Sequence, residues 1–391
     1  MGRLCTIRDV DLDRFTVLVR VDFNVPMQDG AVADDTRIRA ALPTLQFLRD
    51  RSAKVVLLSH LGRPDGTPNP KYSLRPVANR LGELLGTRVG FANDCIGPPA
   101  QSAVQGTSPG GMVLLENVRF HAEEEKNDPA FAQQLAQLGD MFVNDAFGTA
   151  HRAHASTEGI AHVLPSVAGL LMEKEISFIG AALENPKRPF VAIVGGAKVS
   201  SKVGVLNNLI DRVDRLLIGG GMANTFLRAE GREVGKSLLE ADLVTTAADL
   251  LQRGNKIVVP TDVVVTTDLK GTAAPRTTSS GQVANDEAIV DIGPQAIAAF
   301  KAEIAAAGTV LWNGPMGVFE DARYAAGTLA IAHALADSNA TTIVGGGESV
   351  QAVEQAGVAD KLSHVSTGGG ASLEFIEGKV LPGVAALRHD C

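Results

Sequence analysis

The stretch Thr309-Val-Leu-Trp-Asn-Gly-Pro-Met-Gly-Val-Phe-Glu320 carries the clearest fold signal in this 391-residue chain. An apolar run of strand type breaks abruptly into a turn rich in glycine and proline. The turn carries the amide of Asn313 and ends in the carboxylate of Glu320. Several other apolar runs of the chain end in the same way, in polar or glycine residues. Ligands of open α/β sheets bind at the carboxyl ends of the strands, so the pattern predicts a ligand-binding α/β protein.

Apolar runs rich in valine, isoleucine and leucine recur along the chain, with helical patterns between them. Such runs are typical of parallel strands covered on both faces, and their alternation with helices indicates doubly wound sheets. The predicted strands are 17–23, 54–59, 112–118, 141–145, 191–195, 215–219, 256–260, 309–313 and 341–345. The clearest predicted helices are 36–51, 75–86, 130–139, 201–213 and 326–337. The predicted fold class is α/β with Rossmann-like parallel sheets, and residues 261–281 are predicted to form a surface loop or hairpin.

The length of the chain favours two domains. A proline follows Leu164, and a second breaker cluster spans 185–189, with an apolar-periodic segment between them. We therefore predict an N-terminal domain over 1–165, a linker helix and hinge over 166–188, and a second domain that begins at 189.

The composition is that of an ordinary soluble globular protein, with 45% hydrophobic and 20% charged residues. A net charge of −8 disfavours nucleic acid as a partner, because that kind of binding needs a broad basic surface. No apolar run approaches the roughly 18 residues that span a membrane. The three cysteines, Cys5, Cys95 and Cys391, lie far apart and are odd in number, so we expect no disulfide framework and a reducing, cytoplasmic setting. No oligomer interface is evident, so a monomer is expected.

Cationic side chains follow the strands of the first half. Because the carboxyl ends of parallel strands meet at one edge of a sheet, these cations should converge. A single arginine is more often a solvated surface charge, and a lone His60 is more often structural. His151 and His154 have no third metal ligand at a suitable spacing. Converging arginines in an acidic protein nevertheless predict a site for a small, multiply charged anion. The residues concerned are Arg20, Asp22, Asn24, Arg37, His60, Arg63, Arg119 and Arg152.

Glycine runs follow the strands of the second half. A glycine at a strand end often serves only a tight turn, but five such runs favour a nucleotide, whose phosphates approach the exposed backbone N–H groups. The P-loop motif is absent, and the three Gly-Gly-Gly runs lack the last glycine of a dinucleotide-binding motif. The runs are 195–198, 219–221, 313–317, 345–349 and 368–370.

The chain resembles the phosphoglycerate kinase family over nearly its whole length, with specific segments in the family's order. These are RVDFNVP (20–26), SHLGRP (59–64), LLENVRF (114–120), NDAFGTAHRAHAST (144–157), GGAKVSSK (195–202), GGGMANTF (219–226), LWNGPMGVFE (311–320), GGGES (345–349) and VSTGGGASLEFIEGK (365–379).

The resemblance implies two doubly wound domains that face a cleft, with the nucleotide domain over 189–370 and a C-terminal segment, 371–391, that returns to the first domain. It implies that 3-phosphoglycerate or 1,3-bisphosphoglycerate binds through Asp22, Phe23, Asn24, Arg37, His60, Leu61, Gly62, Arg63, Arg119 and Arg152. It implies that Mg-ADP or Mg-ATP binds through Lys198, Lys202, Gly219, Gly293, Asn313, Glu320, Gly346, Gly347, Glu348 and Ser349. The implied catalytic residues are Arg37, Lys198, Gly369 and Gly370.

The chain departs from the family at Glu348, where the family usually has the aspartate that serves the metal. The side chain keeps its carboxylate but is one methylene longer. The implied reaction transfers a phosphoryl group between an acyl phosphate and ADP, by charge neutralisation and positioning after hinge closure at 165–188 and near 365–375. Two other classes are weaker alternatives: a non-catalytic nucleotide-binding module that has kept the fold, and a nicotinamide-dependent oxidoreductase.

Overall fold

The computed structural model describes residues 3–387 and Cys391. The chain divides into two compact units. Unit 1 comprises Met1–Ser177 and Val380–Cys391, and unit 2 comprises Phe178–Lys379. Each unit contains a six-stranded sheet, so the predicted α/β class with doubly wound parallel sheets is confirmed.

Unit 1 is built on a parallel sheet covered by helices. Its strands are β1 Thr16–Arg20, β2 Met27–Gln28, β3 Ala31–Val32, β4 Lys54–Leu58, β5 Gly90–Phe91, β6 Met112–Leu114, β7 Met141–Asn144 and β8 Ser166–Ala168. Its helices up to the unit boundary are α1 Thr36–Asp50, α2 Arg75–Leu85, α3 Gly97–Gln105, α4 Ala122–Glu125, α5 Pro129–Ala136 and α6 Leu170–Glu184, the last of which contains the boundary. The parallel sheet has the order β5-β6-β4-β1-β7-β8, and β2 and β3 form a separate antiparallel hairpin.

The core of unit 1 follows from the apolar runs of its central strands. Val17 and Val19 of β1 are buried against helix α1, which contributes Ile38, Leu45 and Leu48 to the same cluster. Each fully buried side chain of this kind stabilises the fold by about 1.5–3 kcal/mol. This packed core therefore holds the carboxyl ends of the strands in fixed positions.

Unit 2 repeats the plan with the strand order of a Rossmann fold. Its strands are β9 Phe190–Val194, β10 Arg215–Ile218, β11 Ile257–Val258, β12 Asp262–Thr266, β13 Arg276–Ser279, β14 Ala288–Ile292, β15 Thr309–Asn313, β16 Thr341–Gly345 and β17 His364–Val365. Its helices are α7 Val203–Ile210, α8 Met222–Ala229, α9 Val244–Gln252, α10 Pro294–Ala306, α11 Ala326–Ala336, α12 Gly347–Gln355 and α13 Gly370–Ile376. The parallel order is β11-β10-β9-β15-β16-β17, so the order reverses between β9 and β15. Strands β13, β12 and β14 form a second, antiparallel sheet.

The structure corrects the predicted elements mainly at the sheet edges. The sequence did not predict strands β2, β3, β5, β8, β14 and β17. All of these except β14 have only two or three residues, which is too short to show a period, and β14 lies at the edge of the antiparallel sheet. Strand β1 ends at Arg20 rather than at residue 23. The region 261–281, predicted as a surface loop or hairpin, supplies β12 and β13 of the antiparallel sheet. Its threonines and charges resemble those of a loop, but threonine is also a good strand former.

The C-terminal segment belongs to unit 1 from Val380 onward, whereas the sequence placed its start at 371. A short helix, α14 Pro382–Ala385, docks there. The backbone N–H of Gly383 donates to the Ala150 carbonyl at 2.9 Å, and the Asn144 amide donates to the Gly383 carbonyl at 3.1 Å.

The two ends of the described chain are joined by a disulfide between Cys5 and Cys391, with a Cα–Cα distance of 5.7 Å. The expectation of no disulfide was therefore wrong. Separation along the sequence was a poor guide, because the returning segment brings both ends of the chain to the same unit. Cys95 is buried and free. Among the described residues, no helix is long and apolar enough to cross a membrane.

Candidate active site

The loops after β1 and β4 form one hydrogen-bonded network at the carboxyl edge of the unit 1 sheet. The side-chain oxygen of Asn24 accepts from the Gly62 N–H at 2.9 Å, and its carbonyl accepts from Arg37 Nη1 at 2.9 Å. Arg37 Nη1 also lies 3.3 Å from a carboxylate oxygen of Asp22. The Phe23 N–H donates to the hydroxyl of Ser59, which anchors the loop to the end of β4. Five predicted residues from three segments, Asp22 to Asn24, Arg37 and Gly62, thus lie together.

Arg119 extends this network from the third strand end. Its side chain is buried and donates from Nη1 to the Gly62 carbonyl at 3.0 Å. Its Nε lies 3.3 Å from Glu125 Oε1, but makes no hydrogen bond of good geometry within residues 3–387. Burial lowers the pKa of Arg119, and the charges of Arg152 and Arg63 lower it further. An anion placed here would satisfy the unused donor and relieve the mutual repulsion of the arginines.

His60 is buried in the same group as a neutral imidazole. Burial lowers its pKa well below the ordinary value, and the charges of Arg20, Arg119 and Arg37 add to the effect. Its Nδ1 lies 3.1 Å from Arg20 Nη2. Because a guanidinium can only donate, Nδ1 must be the acceptor, and the ring proton lies on Nε2. His60 is therefore a neutral donor beside Arg20, Arg37 and Arg119.

The remaining predicted residues of unit 1 have supporting or peripheral places. Phe23 and Leu61 are buried and act through packing and backbone. Gly62 has a φ of +63°, and a Cβ there would lie 2.4 Å from the Tyr72 ring, so only glycine fits. Arg63 is exposed, and Arg152 is partly buried with its Nε 3.2 Å from His151 Nε2. We refer to Asp22, Asn24, Arg37, His60, Gly62, Arg63, Arg119 and Arg152 as the basic cluster.

A buried ion network beneath the basic cluster was not predicted. Arg20 Nε donates to Ser156 Oγ at 2.8 Å, and Glu124 accepts from the same serine, from its N–H at 2.9 Å and its Oγ at 2.6 Å. Burial raises the pKa of Glu124, and the charge of Arg20 acts in the opposite direction. The sequence pattern placed Arg20 among the converging cations, but the family resemblance implied no substrate contact for it. Glu124 belongs to a run of three glutamates, and from the sequence alone such a run is expected to be exposed to solvent.

Unit 2 has a cavity of about 370 Å³ beside the carboxyl ends of β9, β10 and β15. Glycine backbone forms one side, and residues of the antiparallel sheet form the other. Of the predicted nucleotide residues, Glu320 and Glu348 line it. Its other principal walls are Gly196, Gly220, Gly221, Asn224, Leu238, Leu269, Ile289, Pro315, Met316 and Val318.

Lys202 and Asn313 meet at the point where the strand order of unit 2 reverses. The Lys202 ammonium donates to the side-chain oxygen of Asn313 and, at 3.3 Å, to its carbonyl. The Asn313 amide donates to the Gly345 carbonyl at 2.9 Å, and the Gly314 N–H donates to Ser349 Oγ. Burial lowers the pKa of Lys202 to about 8, although the charge of Glu348 acts against this. A partly buried cation therefore lies at the position where doubly wound sheets bind ligands.

Lys198 does not have the buried, fixed side chain expected of a catalytic cation. Its side chain is exposed, and its carbonyl accepts from the Ser201 hydroxyl at 2.8 Å. Burial acts to raise the pKa of Glu240, but hydrogen bonds from Ser200 and Val199 lower it below the ordinary value, and the charge of Lys198 adds a smaller lowering. Both lysines follow β9, but Lys202 is the one that the fold holds against Asn313.

The predicted glycines of unit 2 fall into two groups. At Gly219 a Cβ would lie 2.4 Å from Met316 Sδ, and at Gly293 it would lie 2.3 Å from Asp262 Cγ, so packing alone demands glycine at both. Gly346 has a φ of +91° and abuts the Asn313 amide. Gly347 and Gly369 have open space where a Cβ would stand. Gly369, with a φ of +50°, immediately precedes Gly370 at the start of α13.

Sequence reasoning missed several residues of the cavity, of which Asn224 is the polar one best placed to bind a ligand. Asn224 is buried in α8, and its amide donates to the Leu238 carbonyl at 3.0 Å. Its side-chain oxygen has no hydrogen-bond partner in the described part of the chain, so a donor on a ligand would satisfy it. Leu238, Leu269 and Val318 line this cavity and are 48%, 46% and 37% exposed, so they offer apolar surface that suits the face of a base. In the sequence, nothing distinguishes Asn224 from other residues near the start of a helix.

Comparison with known proteins gives a consistent result. The family model for phosphoglycerate kinase matches residues 7–379. The phosphoglycerate kinase of Chloroflexus aurantiacus is 58% identical over 98% of both chains, and that of Moorella thermoacetica is 55% identical over 98% of this chain and 99% of the relative. The solved phosphoglycerate kinase of Coxiella burnetii superposes with a TM-score of 0.91 at 42% identity, covering 98% of both chains. That of Pyrococcus horikoshii gives 0.86 at 35% identity, covering 99% of this chain and 98% of the other.

Proposed function

The chain belongs to the phosphoglycerate kinase family, and we propose here how its residues perform that family's reaction. The reaction is the reversible transfer of a phosphoryl group from 1,3-bisphosphoglycerate to ADP, which gives 3-phosphoglycerate and ATP in glycolysis. The protein is therefore a phosphotransferase with a carboxylate as acceptor in the ATP-consuming direction. The division of labour between the units and the role of each residue are our proposals.

Unit 1 binds the phosphoglycerate. The basic cluster supplies guanidinium groups that match phosphate and carboxylate oxygens in pairs, and Arg119 has a donor to spare. His60 contributes a neutral N–H, because its pKa lies well below neutrality. Asp22 and Asn24 hold Arg37 in place rather than neutralising the whole cluster. Among the observations, the converging arginines carry this assignment most directly.

Unit 2 binds the nucleotide. The cavity offers apolar faces at Leu238, Leu269 and Val318 for the base and glycine backbone for close approach. Glu320 lies at the same wall and is positioned to accept from the ribose hydroxyls. Lys202 and Asn313 stand at the strand ends, where the phosphates would lie.

Mg²⁺ fits the donor set of unit 2. Mg²⁺ is usually bound by one or two carboxylates together with substrate phosphates and waters, not by a cage of protein ligands. Glu348 provides such a carboxylate at the cavity wall. Among the described residues, the one close group of three metal-ligating side chains lies elsewhere, in unit 1. When bound, the ion would spread positive charge over the nucleotide phosphates.

The chemistry needs no protein nucleophile and no general base. The acceptor carboxylate is ionised at neutral pH, so catalysis rests on positioning and on neutralising the charge of the transferred group. We assign this neutralisation to Arg37 from unit 1 and Lys202 from unit 2. The sequence had favoured Lys198 instead of Lys202. Gly369 and Gly370 offer backbone N–H groups without a side chain in the way.

Transfer requires both bound ligands to come into contact, so the units must close on each other during turnover. The chain passes between the units twice, inside α6 and between Lys379 and Val380. We propose these two crossings as the hinges. Closure would also exclude the water that hydrolyses acyl phosphates.

The protein acts as a cytoplasmic monomer in this proposal, because glycolysis takes place in the cytoplasm and the substrates are small molecules. A disulfide is uncommon in that compartment. Alkylation of intact cells before lysis, followed by mass measurement of the protein, would show the state of Cys5 and Cys391. Sedimentation of the purified chain tests the monomer.

The decisive assay measures ATP formation from ADP that depends on 1,3-bisphosphoglycerate. Wild-type protein should show it, and Arg37→Ala should lose on the order of 10²–10³ in turnover, as for a removed charge-stabilising donor. Its affinity for ADP should stay unchanged in calorimetry. Absence of activity in the wild type would favour a non-catalytic nucleotide-binding module, and lost ADP affinity in Arg37→Ala would overturn the division between the units.

A further inference from the structure

A group of three metal-ligating side chains lies in unit 1 outside the basic cluster. Asp94 and Cys95 follow β5 and precede α3, and His121 follows a 3-10 turn at Val118–Phe120. The Nε2 atom of His121 is 2.7 Å from Asp94 Oδ1. One ligand atom from each of the three residues lies within 4.8 Å of the others. The phosphoryl transfer described above uses none of them.

The spacing of these atoms suits a single tetrahedral ion. Zinc bonds are about 2.0–2.3 Å long for imidazole, carboxylate and thiolate, so neighbouring ligand atoms stand roughly 3.3–3.8 Å apart. To reach that arrangement the His121–Asp94 contact would open from 2.7 Å, and the Cys95 thiol, which lies within 4.8 Å of both ligand atoms, would take its place at the same ion. Phe131 lies beside the His121 ring, with the ring centroids 5.2 Å apart.

Access and charge are also suitable. The side chain of Cys95 is buried, whereas those of His121 and Asp94 are 26% and 39% exposed, so an ion can enter from their side and keep one water. Burial raises the pKa of the Cys95 thiol well above the ordinary value, and the negative charges of Asp94, Glu124 and Glu116 raise it further. A cation would be attracted by that negative charge, and it would have to displace the thiol proton on binding.

We propose that Asp94, Cys95 and His121 form a binding site for a thiophilic divalent cation such as Zn²⁺, with water in the fourth position. A thiol and an imidazole select such an ion over Mg²⁺, which prefers oxygen ligands. The site is therefore chemically distinct from the place proposed for Mg²⁺ in unit 2. It is also independent of which unit binds which substrate.

A simpler arrangement accounts for the same contacts. His121 and Asp94 would form an ordinary hydrogen bond at the surface, and Cys95 would be a small buried side chain. The two arrangements differ in one property, because only a metal site places a thiolate on the ion.

Cobalt titration of the full-length, metal-free protein distinguishes the two. Co²⁺ takes the place of Zn²⁺, and a thiolate ligand produces an intense charge-transfer band in the near ultraviolet. Cys5 and Cys391 form a disulfide, so Cys95 is the single free thiol of the chain and the band can report nothing else. Work without reductant and in excess Mg²⁺ preserves the disulfide and excludes sites of hard oxygen ligands.

We expect a band that saturates at one Co²⁺ per chain in the wild type and is absent in Cys95→Ser. His121→Gln should weaken binding at least tenfold. The matched control is His162→Gln, since His162 is also a histidine paired with a carboxylate, that of Glu158, but has no thiol beside it. That variant should bind like the wild type.

Three results would overturn the proposal. These are no charge-transfer band in the wild type at a hundredfold excess of Co²⁺, a band that survives in Cys95→Ser, or equal affinity in His121→Gln and the wild type. The first and third need no substitution in the core, so the test holds even if Cys95→Ser fails to fold.

Discussion

Two lysines follow the first strand of unit 2, and the structure gives them different surroundings. Lys198 is exposed, whereas Lys202 is largely buried against Asn313. A cation pre-placed in a site of low dielectric constant stabilises developing charge more than one that moves freely in water. The burial of Lys202 is therefore the feature that ranks it above Lys198.

We predict that Lys202→Met lowers turnover by on the order of 10²–10³, while Lys198→Met lowers it less. Neither change should affect affinity for 3-phosphoglycerate, because both lysines belong to unit 2. Steady-state kinetics and calorimetry on the two variants provide the measurement. A larger loss in Lys198→Met would restore the ranking suggested by the sequence.

The same burial predicts an alkaline limit to activity. The pKa of Lys202 is lowered to about 8, so the cation is present below that pH and is lost as the pH rises through it. Catalytic efficiency, which reports the free enzyme, should fall above about pH 8. In Lys202→Arg the fall should move to higher pH, because arginine stays charged. Superimposable pH profiles would show that Lys202 does not carry the charge.

Glu348 either binds the metal or only stabilises the start of helix α12, and these two roles can be distinguished by experiment. It lies in the first turn of α12, where a carboxylate stabilises the helix dipole by about 0.3–1 kcal/mol in any case. If it serves Mg²⁺, Glu348→Gln raises the Mg²⁺ concentration for half-maximal activity, and Glu348→Asp restores or improves it. If it serves only the helix, Glu348→Gln slightly lowers the melting temperature and leaves the Mg²⁺ titration unmoved.

At the scale of the elements, helix α6 begins with N–H groups that donate to side chains of two other segments. Asp145 Oδ1 accepts from the N–H groups of Leu171 and Met172 at 2.9 and 3.3 Å, and Thr44 Oγ1 accepts from that of Leu170 at 2.9 Å. Burial raises the pKa of Asp145 to about 7, although these hydrogen bonds oppose the rise. The helix that contains the unit boundary is thus capped by a carboxyl group that titrates near neutrality.

This cap predicts how stability depends on pH. The folded state holds the Asp145 proton up to about pH 7, whereas an unfolded aspartate loses it near pH 3.8. Stability should therefore fall as pH rises between these values, by on the order of 4 kcal/mol, and level off above. Asp145→Asn keeps an acceptor oxygen and removes the titration. Denaturant unfolding should show a flatter profile for Asp145→Asn and higher stability above pH 8; parallel profiles for the two proteins would contradict this.

The central elements of both sheets could be predicted from sequence, and their edges could not. Strands such as β15 are buried on both faces, so composition alone reveals them. Edge strands such as β17 depend on a neighbour that the sequence does not show. The burial of Glu124 could not be predicted either, because it is decided by tertiary packing. The location of Arg37 and Arg119 could be predicted, because the strands that precede them end at a common edge of the sheet.

At the scale of the whole molecule, the disulfide closes unit 1 across 386 positions of sequence. Closing a loop of this length restricts the unfolded chain, which stabilises the folded state by about 6 kcal/mol in the entropic description. Reductant should therefore lower the melting temperature of the wild type by roughly 5–10 °C. Cys391→Ser should melt at that lower temperature with or without reductant. If reductant left the melting temperature of the wild type unchanged, the disulfide between Cys5 and Cys391 would not be formed in solution.

The most direct test of the division between the units is calorimetry of two variants with two ligands on the full-length chain. Arg119→Met removes a buried cation of unit 1, and Glu320→Ala removes an exposed carboxylate of the unit 2 cavity. Arg119→Met should weaken 3-phosphoglycerate at least tenfold, as expected when a charged hydrogen-bond donor is lost, and leave Mg-ADP within twofold. Glu320→Ala should do the reverse. If Arg119→Met weakened Mg-ADP while 3-phosphoglycerate bound normally, or if each variant weakened both ligands equally, the assignment of substrate to unit 1 and nucleotide to unit 2 would be contradicted.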